Sequence, residues 1–208
     1  MLFQHIGHAE FLITLESGFR IVTDPFDASV GYPIPALEAD GVLVSHHHHD
    51  HDAVEHIAGH PQIIDYAGAH TFAPDVRVTG ILADHDDAGG AKRGKTLLFL
   101  LEAEDLRVAH LGDLGHLPDT DEQKEALSNL DVMLIPIGGT FTIDTPTAVK
   151  LIQAFKPRCA VAMHFANRYC HFSITDEAEF VRLTGAKRLP NAVEITKNTP
   201  TGCCVMEV

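Results

Sequence analysis

The residues best equipped for chemistry lie together in Ser45-His46-His47-His48-His49-Asp50-His51. Within this run, His46, His48, Asp50 and His51 fall in the frame His-x-His-x-Asp-His. Directly before it, Gly41-Val42-Leu43-Val44 reads as a buried strand. A purification tag would sit at a terminus beside a linker, whereas this run is internal and ends in Asp-His. Imidazole nitrogen suits zinc, iron, nickel and copper, and a neighbouring carboxylate extends the choice to manganese. The segment is therefore expected to be a loop at the C-terminal end of a strand, holding two metal ions side by side.

Further ligand types recur after other strand-like runs. His85 follows Val76 to Leu82, Asp113 follows Leu106 to Leu111, and His164 follows Cys159 to Met163. Strand ends suit ligands because the sheet fixes the backbone while the loop keeps one face open. The runs Leu2 to Ile6, Glu10 to Leu15, Phe19 to Thr23, Gln62 to Ile64, Thr96 to Leu101 and Val132 to Ile135 also read as strands. So do Ala192 to Ile195 and Cys203 to Glu207. Helices are predicted from Asp52 to Ile57, Asp121 to Leu130, Thr145 to Phe155 with Pro146 in its first turn, and Thr175 to Leu183. Ala88 to Gly94 is a turn-rich connection without the strand-loop-helix frame of a phosphate loop. No linker or internal repeat divides the chain, so residues 1–208 are expected to form one domain. Early strands followed by strand-helix alternation suggest two packed sheets with helices outside.

The 208 residues can build a substantial core. No apolar stretch approaches the roughly 20 residues of a membrane span. A formal charge of -14, from 29 acidic and 15 basic residues, disfavours extended nucleic acid and anionic membrane as partners. A small phosphate ester remains compatible, since a metal pair supplies local positive charge. The N-terminus lacks the basic and long apolar regions of a signal peptide, so a cytoplasmic location and a small-molecule substrate are expected. A homo-oligomer is compatible with the sequence. Cys159, Cys170, Cys203 and Cys204 have no Cys-x-x-Cys spacing and read as reduced, structural residues.

With His46-x-His48-x-Asp50-His51, His85, Asp113 in a Gly-Asp pair and His164 in this order, the chain resembles the metallo-β-lactamase superfamily of metal-dependent hydrolases. The resemblance covers nearly its whole length. Gly7-His8-Ala9, Asp24-Pro25-Phe26, His110-Leu111-Gly112-Asp113, Leu134-Ile135-Pro136-Ile137-Gly138-Gly139 and Met163-His164-Phe165 resemble the branch containing L-ascorbate-6-phosphate lactonase. The resemblance implies an α/β fold, a four-layer αββα sandwich. It further implies that His46, His48 and His85 hold one divalent ion, Asp50, His51 and His164 a second, and that Asp113 bridges them. Zinc is the first choice, with manganese, nickel and iron also suited. Two such ions about 3.5–4 Å apart can share a water and lower its pKa toward neutrality, giving a hydroxide nucleophile. Asp50 and Asp113 would fix the metals and that nucleophile.

Other histidines are assigned by position. His47 and His49 alternate with ligands and should point away, while His56, His60 and His70 are expected on the surface. His8 and His110 could orient ligands or touch substrate. His116 and His171 could protonate a leaving group. Asp113 stands where the best-known β-lactamases of the superfamily carry Cys, which argues against antibiotic hydrolysis. The helical, RNA-binding and flavodoxin additions of other branches are absent from the 208 residues. Acidic Asp86-Asp87 after His85 should repel a free phosphate unless they point away, leaving neutral esters and lactones in play. The expected function is hydrolysis of an ester or lactone of a small cytosolic substrate. The alternatives are a phosphodiesterase acting on a cyclic or short nucleotide, a non-enzymatic metal-binding protein and a diiron redox protein.

Overall fold

Along the segment from Lys95 to Ala103, Leu97, Phe99 and Leu101 join one apolar core while Leu98 and Leu100 join another. Successive strand side chains point to opposite faces, so a strand apolar on both must lie between two layers. The computed structural model describes residues 1–208 and is built on that arrangement. Its first strands are β1 (Leu2–Gly7), β2 (Glu10–Thr14), β3 (Arg20–Thr23), β4 (Leu37–Glu38), β5 (Gly41–Leu43), β6 (Ile57–Ala58), β7 (Gln62–Ile64) and β8 (Gly68–Ala73). Then come β9 (Val76–Asp84), β10 (Lys95–Ala103), β11 (Leu106–His110), α1 (Asp121–Ala126), β12 (Val132–Pro136) and α2 (Thr145–Phe155). The last elements are β13 (Cys159–Met163), α3 (Ala178–Thr184), β14 (Lys187–Leu189), β15 (Ala192–Glu194) and β16 (Gly202–Met206).

One sheet has the order β15-β1-β2-β3-β5-β7, the other β14-β16-β13-β12-β11-β10-β9-β8, and β4 pairs with β6 in a small ribbon. Between the sheets, Phe3, Phe11 and Ile21 meet Phe99, Leu134 and Val161 in the larger core. Outside the second sheet, Met133, Ile135 and Ala162 pack against Ala126 of α1, Leu151 of α2 and Phe180 of α3. The cover outside the first sheet is thinner. There Val22, Val42 and Val44 meet Ala39 and Ile57, supplied by the ribbon and by a 3-10 turn at Val54–His56. No helix is long and apolar enough to cross a membrane.

Strand direction decides where the chemistry can gather. β9 and β11 both run antiparallel to β10, and β11, β12 and β13 run parallel to one another. In the first sheet, β1 and β3 are antiparallel to β2, and β5 is parallel to β3. The residues that leave β9, β11 and β13 therefore emerge at one edge of their sheet, and those that leave β1, β3 and β5 at one edge of theirs.

Several elements differ from the sequence reading. Asp52 to Ile57 forms a 3-10 turn rather than a helix, because Ile57 is drawn into pairing with Leu37 and the Ala53 N–H is taken by Pro25 O. α1 stops before Leu130, where Asn129 adopts a left-handed φ of 52°. α3 begins at Ala178 rather than Thr175, since the Thr175 backbone bridges Gly138 and Ala166. β8 and β14 were not anticipated: β8 is largely exposed with a glycine at its start, and β14 is short. α2 has the expected limits, with the Asp144 carboxylate capping the Thr147 N–H at 2.9 Å.

Phe99, 1% exposed between the sheets, tests the core. Phe99→Ala should destabilise the protein by about 3–5 kcal/mol in urea unfolding followed by circular dichroism. A loss below about 1 kcal/mol would mean that the inter-sheet core does not depend on this ring.

Candidate metal centre

The loop bearing the His-x-His-x-Asp-His frame is rooted in both sheets. Val44 N–H donates to Ile64 O of the first sheet, and Ser45 O accepts the Leu97 N–H of the second, at 3.0 and 2.9 Å. The loop then curls so that the N–H groups of His51 and Asp52 both donate to His48 O. His85 follows β9, Asp113 lies three residues beyond β11, and His164 is the first residue past β13. Gly115 allows the Asp113 turn to press against His85. A Cβ there would lie 2.2 Å from Asp86 N, and the Gly115 N–H donates to Asp84 O at 2.9 Å.

The sequence-selected residues converge. Ligand atoms of His46, His48 and His85 lie within 4.8 Å of one another, as do those of Asp50, His51 and His164 with His8. Asp113 stands between the groups. Its Oδ2 lies 3.4 Å from His85 Nε2, 3.4 Å from His164 Nε2 and 4.0 Å from His46 Nε2, and its Oδ1 lies 3.2 Å from His51 Nε2. Yet His46 Nε2, His51 Nε2, His164 Nε2 and Asp113 Oδ1 are buried without a hydrogen-bond partner. Buried polar atoms are otherwise nearly always paired. A cation fits this set, because it accepts several lone pairs converging on one point.

Asp24, to which the sequence reading gave no role, organises these lone pairs. It is fully buried and accepts the Ser45 N–H and the Ser45 Oγ–H, both at 2.7 Å. It also accepts the His51 Nδ1–H at 2.9 Å. Having given its only proton to Asp24, Ser45 Oγ must accept from His46 Nδ1, 2.9 Å away. One carboxylate thus places the protons of two imidazoles on Nδ1 and leaves both Nε2 atoms free to bind metal. The available signal was the motif Asp24-Pro25-Phe26, which marks the position through the branch resemblance without giving the carboxylate a role.

Charge follows the same plan. Burial pushes His46 down to about 3. Burial, with His164 nearby, takes His8 to about 3 as well. His85 and His110 are also lowered by burial. His51 moves the other way: burial opposes its charge, but Asp113, Asp24 and Asp50 together raise it well above the usual imidazole range. For Asp113, burial works against ionisation and His164 and His51 outweigh it, holding the carboxyl well below the usual range.

The remaining candidates separate. His8 Nε2 lies 3.1 Å from Asp50 Oδ2, so His8 steadies that carboxylate. His110 is fixed by Ala9 O and the Gly112 N–H and has no ring nitrogen left over. His116 accepts the Asp84 N–H and donates to Leu117 O, so both ring nitrogens are engaged, and it does not line the cleft over the centre. His171 is exposed, with its ring against Gly31. His47 and His49 are exposed, and His49 also borders the cleft. His56 and His60 are exposed, while His70 is half-buried on β8.

A cleft of about 320 Å³ opens over the centre, lined by His48, His85, Asp113, Arg93, Phe141 and Phe172 among others. Asp86 does not face it. Burial opposes its charge, but four backbone N–H groups from Ala88 to Arg93 hold its carboxyl at about 2. Asp87 pairs with Lys92 at 2.6 Å. Neither acid lines the cleft, which is the arrangement an approaching anion requires.

A family profile described as a beta-lactamase superfamily domain matches residues 3–164. A crystal structure from Thermotoga maritima, of a protein assigned as a zinc-dependent hydrolase of the metallo-β-lactamase superfamily, is similar with a TM-score of 0.81 and 34% identity over 99% of this chain and 97% of that one. The two-sheet sandwich is thus the metallo-β-lactamase fold. A UPF0173 metal-dependent hydrolase from Thermococcus onnurineus is 30% identical over 88% of this chain and 91% of its own length. Another from Anaeromyxobacter sp. is 32% identical over 76% and 72%. The chain belongs to the metallo-β-lactamase superfamily and, within it, to the UPF0173 metal-dependent hydrolases.

Asp24→Asn should keep the fold but present an amide N–H to Ser45 or His51 in place of an acceptor. Zinc affinity, measured by competition with a chromogenic chelator, should fall about 10–100-fold. An unchanged affinity in a variant with the wild-type urea midpoint would refute the relay.

Proposed function

We propose that this protein hydrolyses an ester or lactone bond of a small substrate with two divalent ions, zinc first among them. His46, His48 and His85 would hold one ion, Asp50, His51 and His164 the other, with Asp113 shared. The observation that carries the reading is the convergence of unpaired, buried Nε2 and carboxylate atoms on Asp113. When bound, the ions would supply Lewis acidity and a nucleophilic water at neutral pH.

The chain's own groups do the rest. Asp24 and Ser45 hold the His46 and His51 rings by their Nδ1–H groups, which aims Nε2 at the centre; on His51 the Nε2 proton that the neighbouring carboxylates favour would be displaced as an ion binds. His8 restrains Asp50. Phe141 and Phe172 wall the cleft with apolar surface, which limits water beside the reacting bond and strengthens the local electrostatics. The cleft is open to solvent through the exposed His48 and His49, so a small substrate has a path to Asp113.

Metal-stripped protein reloaded with zinc or manganese should bind about two ions per chain and cleave chromogenic esters or lactones. Asp113→Ala should lose turnover by more than about a hundredfold and hold metal less tightly. Many loosely held ions without turnover would favour a storage protein. Cleavage of phosphodiesters alone would move the reaction to that bond.

A further inference from the structure

The loop between β9 and β10 delivers a cation to the cleft. Asp86, directly after His85, gathers the N–H groups of Ala88 and Gly90 on one carboxylate oxygen and those of Lys92 and Arg93 on the other, at 2.7 to 3.0 Å. This single buried side chain folds the loop back on itself and fixes the backbone of Arg93. The Arg93 side chain lines the cleft, and its guanidinium carbon lies 5.4 Å from the centre of the Phe141 ring. Arg107, Arg158 and Arg188 each meet a carboxylate within 3.4 Å. Arg93 forms no ion pair, although the chain carries a formal charge of -14. Its neighbour Lys92 is taken by Asp87. Phe172 stands 6.0 Å from Phe141, centre to centre, and extends the apolar wall.

An arginine held over an aromatic ring keeps its planar N–H edge free for a planar or tetrahedral anion. We propose that Arg93 is a specificity-determining residue that receives a carboxylate or phosphate carried by the substrate, whose apolar part lies against Phe141 and Phe172. The substrate class is thereby an anionic ester or lactone rather than a neutral one. This inference rests on the hydrolase reading of the same cleft. A purely structural role, in which Arg93 only covers Phe141, would affect neutral and anionic ligands alike.

The test compares zinc-loaded wild type, Arg93→Gln and Arg93→Lys. Turnover is measured on p-nitrophenyl butyrate, which is neutral, and on p-nitrophenyl hydrogen succinate, which carries a carboxylate. Binding of phenylacetate, benzylphosphonate and benzyl alcohol is measured by calorimetry. In Arg93→Gln the succinate-to-butyrate ratio of kcat/KM should fall about tenfold or more, and the anions should lose affinity relative to benzyl alcohol by a similar factor. Arg93→Lys should recover part of both. The larger loss, on carboxylate or on phosphonate, identifies the group received. Equal losses for neutral and anionic ligands, or none, would overturn the proposal. If wild type cleaves neither ester, the ester reading fails, and the calorimetric comparison still decides the role of Arg93.

Discussion

The structure turns on the buried carboxylate of Asp24. Taking a carboxylate out of water is costly unless its lone pairs are met, and here Ser45 and His51 meet them with short hydrogen bonds. Because Ser45 has only one hydroxyl proton, the arrangement also dictates the state of His46. Sequence-distant residues at the ends of β3 and β5 thus become one rigid unit. Replacing this unit by apolar groups would preserve packing but release the imidazoles from their tautomers.

The same rim is where the two sheets are joined by polar bonds. His110 Nε2 on β11 donates to Ala9 O, His164 N–H donates to His8 O, and Leu97 N–H donates to Ser45 O. Below the rim the sheets meet through Phe3, Phe11, Phe99 and Val161, whose apolar contacts lack the directionality of hydrogen bonds. The apolar core supplies most of the driving force for assembly, and the rim supplies the register in which ligands from both sheets face one another. Each depends on the other, because the rim bonds are strong only where the core excludes water.

Much of this was legible in the sequence, for definable reasons. Buried strands such as β12 and β13 announce themselves as unbroken apolar runs, and Thr145-Pro146 marks the start of α2 through the fixed φ of proline. The candidate cluster was readable because His46, His48, Asp50 and His51 share a spacing that chance rarely produces, and the structure brings their side chains together. Asp24-Pro25-Phe26 was visible as a motif, but the role of Asp24 was not, since it arises from the pairing of β3 with β5. The orientation of Asp86 stayed open for a related reason: an acid in a glycine-rich loop can face a site or its own backbone, and only the fold of residues 86–94 decides. The helix expected from Asp52 yielded to the pairing of β6 with β4, where a tertiary contact outweighs a weak local preference.

Backbone strain reaches the candidate centre at three points, as it does at six other non-glycine residues elsewhere in the chain. His8, Asp24 and His164 have φ of 52°, 39° and 51°, and each is the first residue beyond its strand. A left-handed residue other than glycine costs about 1–3 kcal/mol, and Asp and His bear it better than branched residues do. At these points the chain must turn out of the sheet at once while still presenting a ligand or its anchor. Glycine would relax the backbone but remove the imidazole or carboxylate. The conformation is held from outside the residue: Asp24 N–H is bound to Leu43 O at 2.8 Å and His164 N–H to His8 O at 2.9 Å. Hydrogen bonds between neighbouring strands and between the sheets therefore sustain a geometry that local preference resists. The rigidity of the sandwich is what allows strained residues to hold the clustered imidazoles and carboxylates in place.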